Sequence, residues 1–264
     1  MGPVPTAEFA SLVYGPGGVP LDDPAETFNE ASRLYPDVAP GRLTALRELA
    51  HSPELQQTVA RSSRTHGQRP GINLPQAGVG RMLLEDAFAE RRSASATEPA
   101  VLSLDHLAAL LAAAYRSIHG RRPVPSGGAL YPLELYVVAL AVDSLEAASY
   151  HYDPFRHRLE RIGPGLRADV GAALVESALA DNAAALVVVT AMFWRSRFKY
   201  GLRGYRFALL EAGHAVQNTV LAATALRVPA LPLGGFYDRR ADNLVGADGL
   251  DEATVYAVLL GGRE

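Results

Sequence analysis

Apolar positions along the chain switch between two periods, and the switches mark out its elements. From Leu133 to Val142 aliphatic and β-branched residues run almost unbroken, which predicts a strand covered on both faces. SYHYDP (149–154) and HRLERIG (157–163) read as a hairpin, with Asp153-Pro154 in the turn and alternation in the second arm. AAALVVVTAMFW (183–194) is the most strand-like run, and TVYAVLLGG (254–262) closes the chain as another strand. Between them the period lengthens. RMLLEDAFAER (81–91) predicts a helix with Met82, Leu84, Ala87 and Phe88 on one side, and Ser103 is placed to cap LDHLAALLAAAYRS. A further helix is expected near 165–179, and the longest runs from about Arg203 to Arg227. Leu209, Ala212, Val216, Val220 and Ala223 line one side of that helix, while Leu210 and Gly213 leave much of the rest apolar. Such a helix belongs in the middle of a domain or at a subunit interface, and His214 within it reads as a packed core histidine. Strands mixed with long helices, and a hairpin in place of regular βαβ repetition, indicate the α+β class.

The first 80 residues are less regular. GPGGVP (15–20), DDPAE (22–26) and QRPGINLPQAGVG (68–80) punctuate short helical candidates near 27–34 and 41–62. The expected organisation is an N-terminal, partly irregular helical region over 1–80 and a main domain over 81–264.

Composition narrows the chemistry. With 264 residues, 48% of them hydrophobic, the chain can bury a sizeable core. A net charge of −3 without a basic stripe gives no footprint for nucleic acid. No cysteine is present, which excludes disulfides, thiolate zinc sites and cysteine nucleophiles, and the seven histidines lack H-E-x-x-H spacing for a metal. The N-terminus lacks a basic segment before an apolar stretch and no run of 18 apolar residues occurs, so a cytoplasmic protein without membrane contact is expected.

One compositional feature is specific. Of 25 basic residues only Lys199 is lysine, and it precedes Tyr200. Lysine can give up its proton in a desolvated site and arginine practically cannot, so this position either serves such a need or is one surviving surface lysine. Three further segments suit an anion and a flat ring. Arg91, Arg92 and Ser93 supply guanidinium forks and a hydroxyl matched to phosphate. Ser126, Gly127 and Gly128 offer backbone that a planar ligand can approach, and Gly234 and Gly235 offer a second such approach. GPGLRA (163–168) fits G-x-G-x-x-A, but the strand before it is charged and alternating and Pro164 lies in the turn, so it reads as an ordinary strand-to-helix connection. Each segment alone is also what a solvated charge cluster or tight turn looks like; together they describe a phosphate-bearing aromatic cofactor.

Taken in order, RRS after a helix, PSGGALYPLELYVV, SYHYDP, FKYGLRGYRFALLEAGHAVQNTVLAATAL and LPLGGFYD resemble the nitroreductase superfamily, specifically its SagB-type azoline dehydrogenase branch. The resemblance covers about residues 81–262, and FNEASRLYP (28–36) is similar to the branch's N-terminal signature. It implies a central, mostly antiparallel sheet flanked by helices and an intertwined homodimer holding FMN at its interfaces. Arg91, Arg92 and Ser93 would hold the phosphate side, and Ser126, Gly127 and Gly128 would come from the partner chain. Gly234 and Gly235 would approach the ring, and Arg263 is a further phosphate candidate. Ser95 stands where the superfamily often has a basic flavin contact. The branch's catalytic Lys-Tyr pair matches Lys199 and Tyr200, which would take a proton from a thiazoline or oxazoline ring of a peptide as its neighbouring carbon gives a hydride to the flavin.

The expected activity is therefore FMN-dependent oxidation of peptide azolines to thiazole or oxazole, with dioxygen as acceptor, a ribosomal peptide as substrate and a cyclodehydratase as partner. Three readings stand beside it: the same oxidation on a carrier-protein-bound nonribosomal peptide, an NAD(P)H-dependent nitro- or quinone reductase, and a non-catalytic flavin-binding scaffold subunit.

Overall fold

The computed structural model describes residues 23–35, 51–54, 58, 63–64, 71–94 and 101–261. Seven strands form one sheet in the order β1-β4-β3-β2-β5-β7-β6, every neighbouring pair antiparallel. They are β1 (Gly71–Asn73), β2 (Leu133–Ala139), β3 (Ala148–Asp153), β4 (Arg158–Pro164), β5 (Ala183–Met192), β6 (Ala230–Leu233) and β7 (Glu252–Gly261). β2 is buried at every position because helices cover both faces of the sheet. Leu133, Leu135, Val137 and Ala139 point to one core, with Leu107 and Leu111 of α3 (Leu104–Tyr115) and Ala212 and Val216 of α6 (Arg203–Leu226). The alternate residues Tyr136 and Val138 enter a second core with Val170 of α4 (Arg167–Ala173) and Val245 of α7 (Asp238–Val245).

The capping expected at α3 is present: the Ser103 hydroxyl oxygen accepts the His106 N–H at 3.1 Å. The β3–β4 turn is fixed by Asp153, whose Oδ1 accepts the amides of Phe155 and Arg156. GPGLRA runs from the end of β4 into α4 as a strand-to-helix connection, with Gly165 against the Ala148 backbone, a position no side chain fits.

Several expectations need correction. The helix expected over 81–91 is α2, Leu84–Glu90, and only its Ala87 is buried, while Leu84 and Phe88 face outward. On α6 the buried stripe is Ala208, Ala212, Val216, Val220 and Ala223, whereas Leu209 is 42% exposed and His214 lies on the exposed face instead of in the core. The 71–73 run, read as punctuation, pairs with β4 at the sheet edge. A separate helix, α5 (Trp194–Tyr200), follows β5 where the sequence showed no break. The helical candidate near 27–34 forms as α1 (Pro24–Ala31), capped by Asp23, and most of the one near 41–62 lies outside the described residues. Among the described residues no helix is long and apolar enough to cross a membrane.

Candidate functional site

α5 and the loop before β2 build one part of the site. Arg195 of α5 is buried and its Nη1 lies 2.6 Å from Oε1 of Glu134 on β2. Glu134 also accepts from His151 Nε2 at 2.9 Å and from the Arg64 amide at 2.9 Å. Burial works against this carboxylate, but the His151 hydrogen bond and the Arg195 charge hold its pKa down at about 2. The next helix locks α5 from the other side: Gly204 abuts the Ser196 backbone so closely that a Cβ would fall 2.7 Å from it, and Phe193 stacks on Tyr205 with centroids 4.2 Å apart.

Thus held, α5 presents Lys199 and Tyr200, both half-buried, to the Ser126–Gly128 loop. The three residues Gly127–Ala129 form a single 3-10 turn in which Gly128 has φ of 64°. A Cβ on Gly128 would lie 2.7 Å from the Tyr200 hydroxyl and 2.9 Å from Lys199 Nζ, so the amine and the phenol converge on this bare backbone. A Cβ on Gly127 would meet the Phe207 ring at 2.9 Å, and Phe207 packs edge-on to Tyr200 at 4.9 Å. Ala129 and Tyr131 also have positive φ, which for side-chain-bearing residues is strain concentrated in one short loop.

Behind the loop lies a buried polar group that sequence reasoning missed. Glu211 of α6 accepts the Tyr115 hydroxyl hydrogen through Oε1, and Tyr115 in turn accepts the Leu133 amide at 3.2 Å. Ser126 accepts the Tyr131 amide at 2.9 Å. The Arg122 guanidinium is caged 4.2 Å from the Tyr115 ring centroid and 4.7 Å from that of Tyr131, with none of its nitrogens hydrogen-bonded among the described residues. A carboxylate inside the apolar run ALLEAGHAV was the signal available for Glu211.

The phosphate candidates sit elsewhere in the chain. Arg91 caps the C-terminus of α2, and Arg92 and Ser93 line a cleft of about 560 Å3 together with Arg227, which ends α6 in the left-handed conformation. Arg227 was not among the expected residues, although a cation just before Val-Pro at the end of a long helix signals it. Glu90 is the one acid among the described residues of this wall. The Ala94 amide donates to the Ala230 carbonyl, which fixes the segment against β6. Gly234 and Gly235 follow the far end of β6, and Gly234 faces open space. Arg263 and Ser95 lie outside the described residues.

These two groups are far apart. Gly127 touches Phe207 in the first turns of α6, whereas Arg92 and Ser93 share a cleft with Arg227 beyond its last turn, so about 30 Å of helix separates them at 1.5 Å per residue. No single flavin mononucleotide spans that distance within one chain.

Residues 88–262 match the nitroreductase family, a family of flavin-dependent oxidoreductases, and the chain belongs to it. A protein of Methanocaldococcus jannaschii named as a nitroreductase, MJ1384, is 36% identical over 178 residues, 65% of this chain and 87% of that one. The microcin B17-processing protein McbC of Escherichia coli is 32% identical over 146 residues, 53% of each chain. The trifolitoxin-processing protein TfxB of Rhizobium leguminosarum is 36% identical over 41% of this chain and 31% of that one. The chain thus spans about half the length of one peptide-processing relative and less than a third of the other. Among solved structures, the E. coli microcin synthetase McbBCD complex with truncated pro-MccB17 bound contains a chain with a TM-score of 0.60 and 25% identity, covering 89% of this chain and 86% of that one. These relatives bear out the resemblance to the SagB-type branch.

Proposed function

We propose that the protein is an FMN-dependent azoline dehydrogenase, oxidising thiazoline or oxazoline rings of a ribosomal peptide to thiazole or oxazole with dioxygen as final electron acceptor. The observation that carries this reading is the convergence of Lys199 Nζ and the Tyr200 hydroxyl on Gly128. The microcin and trifolitoxin relatives support a peptide substrate and partner proteins, and a cyclodehydratase that forms the azoline is the partner this activity calls for.

The residues present fit FMN. Gly127 and Gly128 let Phe207, Tyr200 and Lys199 close directly on the loop backbone, which sets an amine and a phenol beside backbone amides that a flat ring could approach from the side these residues leave open, and Arg92, Arg227 and Ser93 are a donor set suited to a phosphate, with Arg91 beside them. The separation of the two groups along α6 supports a homodimer in which one chain supplies the phosphate side and its partner supplies the glycine loop and the Lys-Tyr pair. Gly234 and Gly235 would approach the ring, and Arg263 remains a further candidate for the phosphate.

When bound, FMN supplies the acceptor for the two electrons that aromatisation releases. What this chain must do is take a proton from a ring carbon. Tyr200, or Lys199 acting through its hydroxyl, would accept that proton onto a free oxygen or nitrogen lone pair as the C–H bond breaks. α5 brings both groups to one point of the loop, so the base would need little rearrangement to meet the carbon acid.

Lys199→Ala and Tyr200→Phe are expected to keep bound FMN and to lose azole formation by roughly 100-fold or more, the usual span for removing a general base. The measurement is mass spectrometry of an azoline peptide, reading loss of two hydrogens per ring, beside the flavin absorbance of each variant. Wild-type turnover in either variant removes the proposed base. The similarity to the M. jannaschii protein favours a second reading, a nicotinamide-fed nitroreductase. Rapid NAD(P)H consumption indifferent to Lys199→Ala would favour it.

A further inference from the structure

A cleft of about 710 Å3 opens on the outer side of α5, between the end of α1, the α5–α6 junction and Leu250–Asp251. Tyr200 belongs to its wall as well as to the Gly128 site, so whatever lies in the cleft is continuous with the residues proposed to react. We propose that this cleft binds the substrate polypeptide beside the heterocycle, and that it favours a segment carrying carboxylate and large apolar side chains. The inference rests on the peptide-azoline reading and adds where the peptide runs and what flanks the ring.

Three observations carry it. Large apolar side chains gather around the cleft exposed: Trp194 is 47% exposed, Leu34 66% and Leu250 86%, and Leu202 lies among them. Clustered exposure of this kind marks a binding surface, where scattered single residues would not. The charge is one-sided. Arg197 and Arg203 line the cleft and make no ion pair among the described residues, Arg33 is already held by Glu30 at 3.0 Å, and Asp251 is the only acid among the described residues of the wall. A locally positive groove on a chain of net charge −3 selects carboxylates by complementarity. The volume falls in the range of about 300–1,000 Å3 that suits a small ligand or a few residues of extended chain, not a folded surface. The opposite end of α6, with its own arginine, shares no residue with this cleft.

Trp194 is the only tryptophan in the chain, so its emission reports on the cleft directly. The test titrates the FMN-loaded protein with a short synthetic peptide carrying one thiazoline flanked by glutamate and leucine, and with the same peptide carrying glutamine for glutamate. Trp194 emission should change on binding, with the acidic peptide bound about tenfold more tightly, the worth of about 1.4 kcal/mol. In Arg197→Glu that preference should fall to one or invert. Equal affinity for the two peptides in the wild type, or a preference unchanged in Arg197→Glu, overturns the proposal, as does saturable binding that leaves Trp194 emission untouched. Because Trp194 emission reports binding whether or not the ring is oxidised, failure of the oxidation reading is told apart: peptide binding with the predicted preference but no loss of hydrogens would overturn the activity and leave the cleft assignment standing.

Discussion

At Glu211 burial and its partners pull in opposite directions. Burial raises the pKa of the carboxyl, while Ser126, the Tyr115 hydroxyl and the Arg122 charge lower it, and the outcome is a value pushed up to about 7 from 4.5. A raised carboxylate pKa means that the folded state holds a proton that the unfolded chain has already lost. Between pH 4.5 and about 7 stability therefore falls as pH rises, and above that the full cost is present, at most about 3 kcal/mol by linkage. Glu211→Gln removes the titration and keeps the acceptor for Tyr115. The expected result is that the difference in unfolding free energy between variant and wild type grows in the variant's favour from about pH 5 to about pH 8. A pH-independent difference in denaturant melts would show that Glu211 does not titrate there. The groups facing it are Tyr115 from α3, and Arg122 and Ser126 from the loop, and since that loop bears Gly128 the same titration should reach the site.

At the scale of elements the question is what aims α5. The helix is two turns long, begins at Phe193 without a side-chain cap and would not persist alone. Its placement comes from the buried Arg195–Glu134 pair and from the close seat on Gly204. Lys199 stands four residues after Arg195, on the same side of the helix, so the ion pair fixes the amine's direction. Arg195→Met would leave Glu134 buried beside His151 with its charge half-compensated, and a loss of roughly 3–5 kcal/mol is expected in urea denaturation. If the loss is under about 1 kcal/mol, the pair is not what holds α5. This layer was the least legible in the sequence. FWRSRFKY follows β5 without glycine, proline or a capping residue, so nothing local separates strand from helix, and Arg195 looks like any surface charge until β2 supplies its partner. β1 is likewise only Gly-Ile-Asn between turn-like flanks, made a strand by pairing with β4. By contrast β2, β5, the β3–β4 hairpin and the Ser103 cap were readable, because each is specified by its own period or turn chemistry. The site residues were legible as types. That Lys199 and Tyr200 meet Gly128 is a fact of tertiary packing that spacing along the chain does not contain.

For the whole molecule the decisive element is α6, because it separates the two halves of the proposed cofactor site by about 30 Å and also exposes an uncharged strip with two leucines between them. Leu209, Leu210, Gly213, His214 and Gln217 face outward along its middle, and Leu210 is 61% exposed. Periodicity could not tell this strip from core, since both faces are apolar and only the sheet decides which is covered. A two-fold axis through the strip would bury it against its own copy and bring the glycine-loop end of one α6 towards the arginine end of the other, completing two sites at once. Dimerisation and flavin retention should then fail together. Leu210→Glu puts like charges on both sides of that axis, and the expected outcome is a folded monomer by light scattering that has lost bound FMN, though Leu210 lies in neither residue group of the site. A variant that remains dimeric, or a monomer that keeps its flavin with wild-type affinity, would mean that each chain holds the cofactor alone and that α6 spans the site in some other way.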